Sequence, residues 1–370
     1  MSRFYTLLRA AGASLAALLV VIGSSIQPVS KQAASIPNQG VDNNYGASGG
    51  NVNDISKKFC CSGTLGSLVT DGTNDYILSN NHVLADSDQG QVGDAISQPG
   101  LVDVNCNAAT ARTVANLTAK PALGSNVDAA LAQLIPGFMN TTGLIEGIAS
   151  LPSTVVRTPS IGLAVQKSGR TTGVTTGSIQ SVNTSVRVRY TTSCGGHKGF
   201  NISYINQVVV TPGTFSAGGD SGSLIVTGDG ACPQPVALLF AGSSTSTIGN
   251  PIGEVLSKAG SALGRTISFV GQSCGSATAA QPQTDSIRGQ VPVISTLAVS
   301  NATTAMRARE HEILTRAGVI GIGVGPSAIN ASEAVIVIYV DNEIGITTPL
   351  PRRIGGVRVE RIVTDPFVAY

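Results

Sequence analysis

The chain has 370 residues, 42% hydrophobic and only 12% charged, with 44 glycines, 6 cysteines, 3 histidines and no tryptophan. That length suggests two domains at ~150 residues each, and low charge with plentiful Val, Ile and Leu argues against overall disorder. Net charge is +2 from 23 basic and 21 acidic side chains, with no Lys/Arg cluster of the kind a nucleic-acid partner requires.

Residues 1–30 read as a secretory signal peptide. Arg3 and Arg9 make a positive start, Ala10 to Ile22 is apolar, Gly23-Ser24-Ser25 supplies small residues for cleavage, and Pro28 follows. The apolar run is shorter than the about 20 residues of a membrane span, and no later segment is apolar for long enough. The expected address is therefore secreted, extracellular or periplasmic, with no stable membrane association after leader removal; an uncleaved anchor is the alternative. Residues 31–58, rich in Ser, Gly, Asn and Gln, have the composition of a linker or pro-segment.

From residue 59 to residue 272 the chain turns into short alternating apolar runs. They include Gly66–Thr70, Asp75–Ser79, Val186–Tyr190, Gln207–Val210, Ser223–Val226 and Val236–Phe240, with Gly, Asn, Asp and Pro between them. Long amphipathic helices are scarce, so a mostly β fold is expected, an antiparallel sandwich or barrel. Residues 273–293 again have linker composition. Residues 294–370 then read as a small α+β accessory domain. Ala305 to Ala317 is expected to be helical, Gly318–Gly325 and Ala334–Val340 to be strands, Pro349–Arg353 a short helical turn, and Val357–Val363 a further strand.

The cysteines are Cys60, Cys61, Cys106, Cys194, Cys232 and Cys274. An even number in an exported chain favours disulfides over metal ligands. No C-x-x-C spacing occurs and the histidines, His82, His197 and His311, are far apart, so no metal and no cofactor is expected. One of Cys60 and Cys61 bridging to Cys106, and Cys194 to Cys232, is the pairing favoured here among fifteen.

Three segments carry chemistry. In Leu78-Ser79-Asn80-Asn81-His82 an apolar strand ends and a histidine follows in a polar turn. In Asn126-Val127-Asp128-Ala129-Ala130-Leu131 a single acid sits in apolar sequence, where burial without a donor is costly. In Gly218-Gly219-Asp220-Ser221-Gly222-Ser223 glycines flank a serine and free the backbone to aim its N–H groups. Taken singly, each has an ordinary reading as a surface turn, a capping acid or a glycine-rich loop. Together they supply the parts of acyl transfer: Ser221 as nucleophile, His82 as base, Asp128 to hold the imidazole, and the N–H groups of Gly219 and Ser221 as an oxyanion hole.

On these residues, with Cys61–Gly66, Val165–Gly173 and Leu239–Ser243, the chain resembles the chymotrypsin/trypsin-like serine peptidases, particularly their compact bacterial branch. His, Asp, Ser in that order is the order of chymotrypsin. The resemblance implies a double antiparallel β-barrel with the triad in the cleft between barrels, His82 and Asp128 from the first and Ser221 from the second. It also implies that Phe215 lies at the base of the primary substrate pocket and Gly242 on its wall, which suggests small or apolar side chains at the cleaved position. No I-V-G-G-like start occurs near residue 59, and the resemblance to the bacterial branch, which places a basic residue in the stretch matching Lys167–Gly173, implies instead that Asp220 pairs with Lys167 to prop the oxyanion loop, with Arg170 as second choice. No cysteine follows His82, so Cys61 has to pair elsewhere or stay free.

Other signals are weaker. Gly318–Gly325 lacks the strand–glycine–helix order of a dinucleotide site. His311-Glu312 has no second histidine for H-E-x-x-H, and His197 sits in a glycine-rich loop. Matches to N-x-S/T, such as Asn116 and Asn301, are expected by chance. Segments like Gly318–Gly325, Val335–Val340 and Leu350–Val359 also occur beside bacterial trypsin-like domains, with targeting, regulation or inhibition as open roles. The leading reading is a secreted, monomeric serine endopeptidase acting on protein or peptide. The alternatives are an idle protein-binding homologue and an esterase using the same triad.

Overall fold

The computed structural model describes residues 43–196, 198–228, 231–274 and 294–370, which belong to one compact unit. The expected leader, His197 and most of residues 273–293 lie outside the described residues. No described helix is long and apolar enough to cross a membrane.

Seven strands come first: β1 (Ala47–Asn51), β2 (Gly63–Leu65), β3 (Ser67–Thr70), β4 (Asp75–Ser79), β5 (Ala95–Gln98), β6 (Arg112–Ala119) and β7 (Ala130–Leu134). A single helical turn, α1 (Asn81–Leu84), follows β4. The next part of the chain supplies β8 (Ala164–Gly169), β9 (Gly173–Thr191), β10 (Gly199–Thr211), β11 (Leu224–Thr227), β12 (Pro235–Gly242), β13 (Thr247–Pro251), helix α2 (Ile252–Leu263) and β14 (Ser268–Phe269). The last part contains α3 (Thr296–Arg307), α4 (Glu310–Leu314), β15 (Val319–Pro326), β16 (Ala334–Asp341), β17 (Arg353–Ile354), β18 (Val357–Thr364) and β19 (Phe367–Ala369).

The first sheet runs β14-β3-β4-β7-β6-β5-β1-β2, antiparallel throughout, and curls around Leu65, Leu68, Ile77, Leu78, Ile96 and Leu131, all fully buried. In the second, β10-β13-β12-β11-β8-β9 are antiparallel neighbours, and the long hairpin pairing of β9 with β10 closes these six strands into a ring. The fold is thus mostly β and built on two antiparallel barrels. Alternation drives β9: Val186, Val188 and Tyr190 are buried, while Arg187 and Arg189 between them are exposed.

The stretch 31–58, expected to be linker or pro-segment, differs in its described part. Tyr45 is fully buried and every residue of β1 is buried, paired with β2 and β5. Its sequence, Ala-Ser-Gly-Gly-Asn, has no apolar alternation, because small side chains fill this tightly packed position.

Residues 294–370 form an α+β arrangement whose strands join the second sheet. β15 pairs antiparallel with β9, β16 with β15, and β18 runs parallel to β16. Every residue of β16 is buried, as a strand covered on both faces requires. One face packs under α3 and α4 through Met306, Ile313, Ile336 and Ile338, and the other shares a core with Val186, Tyr190, Tyr204 and Phe240 of the barrel. The helix expected over Ala305 to Ala317 is replaced by two, α3 and α4, with Ser295 capping the first through Ala298 N–H at 3.2 Å. Pro349–Arg353 is not a helical turn: Arg353 already belongs to β17, and Pro351 disfavours the helical conformation at Leu350 before it.

The disulfides are Cys60–Cys106, Cys61–Cys194 and Cys232–Cys274. The expected Cys194–Cys232 bridge is therefore incorrect. Cys194 lies in the turn at the far end of the β9–β10 hairpin, which reaches the segment just before β2, while Cys232 lies between β11 and β12 and meets the chain leaving β14.

Candidate active site

The turn α1 holds His82 at the end of β4, and two asparagines anchor it. Asn80 Nδ2 donates to the Asp128 main-chain oxygen at 2.7 Å, and Asn81 Nδ2 to Pro121 O at 2.8 Å. Asp128 just precedes β7 and is fully buried. Its main-chain N–H donates to Asn250 Oδ1 on β13 at 2.9 Å, which ties the first sheet to the second barrel. The Asp128 carboxylate receives His82 Nδ1 at 2.6 Å on Oδ2 and the His82 main-chain N–H at 3.1 Å on Oδ1.

A third donor to that carboxylate was missed in the sequence. Tyr190, from β9, donates its hydroxyl to Asp128 Oδ2 at 2.9 Å and is 2.6 Å from the Tyr204 hydroxyl on β10. Burial, the Asp128 charge and Tyr204 raise the Tyr190 hydroxyl well above its ordinary range, so it keeps the proton it donates. The available signal was position: alternation places Tyr190 on the buried face with Val186 and Val188, and a buried tyrosine hydroxyl needs a partner.

For His82, burial favours the neutral ring, but the Asp128 charge and hydrogen bond, a hydrogen bond to the Tyr370 carbonyl and the Asp54 charge outweigh it. The net effect is a pKa above the ordinary 6.5. Its Nε2 lies 2.9 Å from Tyr370 O.

Ser221, fully buried, sits in the loop entering β11. Its Oγ donates to Phe240 O at 3.2 Å, and its carbonyl accepts from Thr64 N at 2.8 Å. Gly219 and Gly222 have φ of +96° and +92°, left-handed values that disfavour any side chain. Hydroxyls fix two of the loop's carbonyls: Thr171 Oγ1 donates to Gly218 O at 2.6 Å and Thr64 Oγ1 to Gly219 O at 2.9 Å.

Asp220 is the loop's anchor. Its fully buried carboxylate accepts from Thr171 N at 2.8 Å, Thr172 N at 3.1 Å, Thr172 Oγ1 at 2.7 Å and Ala217 N at 2.9 Å, and Lys167 Nζ is 3.3 Å away. Lys167, on β8, is also fully buried, and burial draws its pKa below the ordinary value against the pull of Asp220. Arg170 is directed elsewhere, to Asp103 at 2.6 and 2.9 Å.

Phe215 is fully buried in the second barrel's core with Val165, Ile179, Val208 and Val210, while Gly242 ends β12. His311 is exposed on α4. Near His82, the cleft opens to a cavity of ≈ 310 Å³ lined in part by Asp54, Ser62, Val83, Gly219 and the Cys61–Cys194 bridge. Asp54 lies there within 4.8 Å of both sulfurs, which are bonded to each other and not offered to a metal. Burial first and the Asp86 charge second push the Asp54 carboxyl up to about 7, against an opposing effect of His82.

No protein-family model matches this sequence, and no curated protein matches it. Solved structures do. A glutamic-acid-specific serine protease that uses a histidine triad in substrate binding is similar at 20% identity and TM-score 0.42, over 61% of this chain and 98% of that one. Protease A of Thermobifida fusca is similar at 17% identity and TM-score 0.40, over 63% and 98%. The chymotrypsin of Cellulomonas bogoriensis is similar at 15% identity and TM-score 0.40, over 63% and 100%.

Proposed function

We propose that the chain is an exported serine endopeptidase working through Ser221, His82 and Asp128. The observation that carries the reading is the buried Asp128 carboxylate, gripped by His82 at two nitrogens and by Tyr190, with His82 lining the same cleft as Gly218 and Gly219 of the loop that holds Ser221. In this reading Ser221 Oγ attacks a peptide carbonyl as His82 Nε2 takes its proton. Asp128 fixes the tautomer and stabilises the imidazolium. The Gly219 and Ser221 N–H groups receive the oxyanion, each such donor being worth ~2.7–4 kcal/mol. The imidazolium returns the proton to the leaving amine, and water then releases the acyl group by the same steps in reverse. Asp220 and Lys167 keep the loop in shape for this. Three disulfides suit an oxidising compartment outside the cytosol.

An idle homologue draws on one observation, that Ser221 Oγ donates to Phe240 O in the described conformation. Fluorophosphonate labelling separates the readings, on the full chain and on a chain ending at Thr364, each beside its Ser221→Ala variant. Ser221-dependent labelling with cleavage of a peptide library supports the endopeptidase. Labelling with turnover of acyl esters alone would make it an esterase, and no Ser221-dependent labelling in either chain removes the enzyme reading.

A further inference from the structure

The end of β19 reaches the candidate cleft, which Ala369 and Tyr370 line together with His82 and Gly219. It adds antiparallel to the end of β12, with Gly242 opposite Val368 and Ala241 opposite Ala369, and parallel to β9, with Val188 opposite Phe367 and Arg189 opposite Val368. That register carries the chain toward Phe240, whose carbonyl holds Ser221 Oγ. The next residue, Tyr370, places its carbonyl oxygen 2.9 Å from His82 Nε2. A peptide entering by strand addition would run the same way and bring a carbonyl to the same place.

The Tyr370 side chain occupies a pocket made for it. It packs on the cluster that holds Phe215 and Val210, and a Cβ on Gly242 would collide with its hydroxyl end. Ser216, whose Oγ is 2.5 Å from Thr247 Oγ1, acts on its hydroxyl. Burial pushes that hydroxyl up to about 12, with Ser216 acting downward and Asp220 upward. Phe215 leaves the space open because its ring turns into the barrel core, where a Cβ on Gly177 would strike it. The pocket therefore takes a large aromatic side chain and offers its hydroxyl a polar partner.

Resting on the peptidase reading, we propose that residues 365–370 are an internal ligand of the substrate cleft, bound as the acyl side of a substrate. By the side chain it seats, the segment identifies the substrate class as extended polypeptide with an aromatic residue, tyrosine first, at the cleaved bond. Of the small or apolar side chains expected at the cleaved position, the small ones are thereby set aside. Tethering gives the segment a high effective concentration, so it competes with substrate without tight intrinsic binding. Free substrate meets only the fraction of molecules whose segment has withdrawn, which raises apparent KM and leaves kcat unchanged.

The test compares the full chain, Tyr370→Ala and a chain ending at Thr364 on reporter peptides differing only in Tyr, Ala or Lys at the cleaved position. The Tyr reporter is expected to be preferred, and KM for it to fall about tenfold or more in both variants at constant kcat. The peptide Asp-Pro-Phe-Val-Ala-Tyr should inhibit the shortened chain competitively. Should the shortened chain not fold, Tyr370→Ala carries the test, because Phe367 keeps its place in the core. Ser221-dependent labelling with equal KM in all chains and no peptide binding overturns the inference and leaves the peptidase standing. Binding of the peptide to a shortened chain that no fluorophosphonate labels removes the peptidase and leaves the segment as the cleft's ligand. Preference for Ala or Lys over Tyr overturns the substrate class.

Discussion

Tyr190 supplies from β9 a hydroxyl that holds Asp128 in place, so removing it tests whether the pair is tuned or merely buried. Without that donor the carboxylate attracts the His82 proton more strongly. His82 acts as a base only when neutral, and its pKa already lies above 6.5. Activity should therefore fall as pH drops through that raised value, and in Tyr190→Phe this acidic limb should move to higher pH, with kcat/KM down about tenfold. A pH–rate profile of both proteins measures it. Lys167 and Asp220 make a second residue-scale case. Removing one partner of a fully buried pair costs roughly 3–5 kcal/mol, so Lys167→Met should unfold at clearly lower denaturant and label slowly at Ser221. Asp54 gives a case with the opposite sign. Its carboxyl holds a proton up to about 7 in the fold but only to about 3.8 when unfolded. The folded state thus binds more protons between those values, and stability falls as pH rises through that window. Asp54→Asn should flatten that decline, as read by melting temperature from pH 4 to pH 8.

At the scale of elements, local pattern was informative wherever one face is apolar. β4, β7, β15, β16 and β18 lie close to where alternation or a continuous apolar run placed them. His82, Asp128 and Ser221 were readable as candidates because each is a polar residue in a setting that asks for a reason: after an apolar strand, within one, and between glycines. β1 was not readable, because glycine, serine and alanine show no period. The reach of β9 over 19 residues was not readable either, because its middle changes partners from β8 to β10 and β15. Cys194 was mispaired for a related reason: hairpin length decides what the turn can touch. The Cys61–Cys194 bridge joins residues 133 apart and ties the hairpin's tip to the cleft. A Cys61→Ser/Cys194→Ser double variant should lose roughly 2–5 kcal/mol of stability, measured by denaturant unfolding under oxidising conditions.

The whole molecule depends on contacts no local reading reaches. Residues 294–370 cover β9 between Val182 and Val186 and complete a core with Tyr190, Tyr204 and Phe240. A chain ending at Cys274 leaves that strand edge and the apolar face beneath it bare, the usual template for association. It should aggregate on size exclusion, whereas a chain ending at Thr364 keeps β15, β16 and β18 and should stay soluble. β19 has one more property: its main chain is bonded on both edges, to β12 on one side and β9 on the other. Whatever replaces it has to enter as a lone strand with both edges bare. A strand of a hairpin or an intact sheet has already spent one edge on its own neighbour, so under the proposed peptidase reading the cleft would sort polypeptides by whether they are folded before any side chain is read, and would admit unfolded chains and extended linkers.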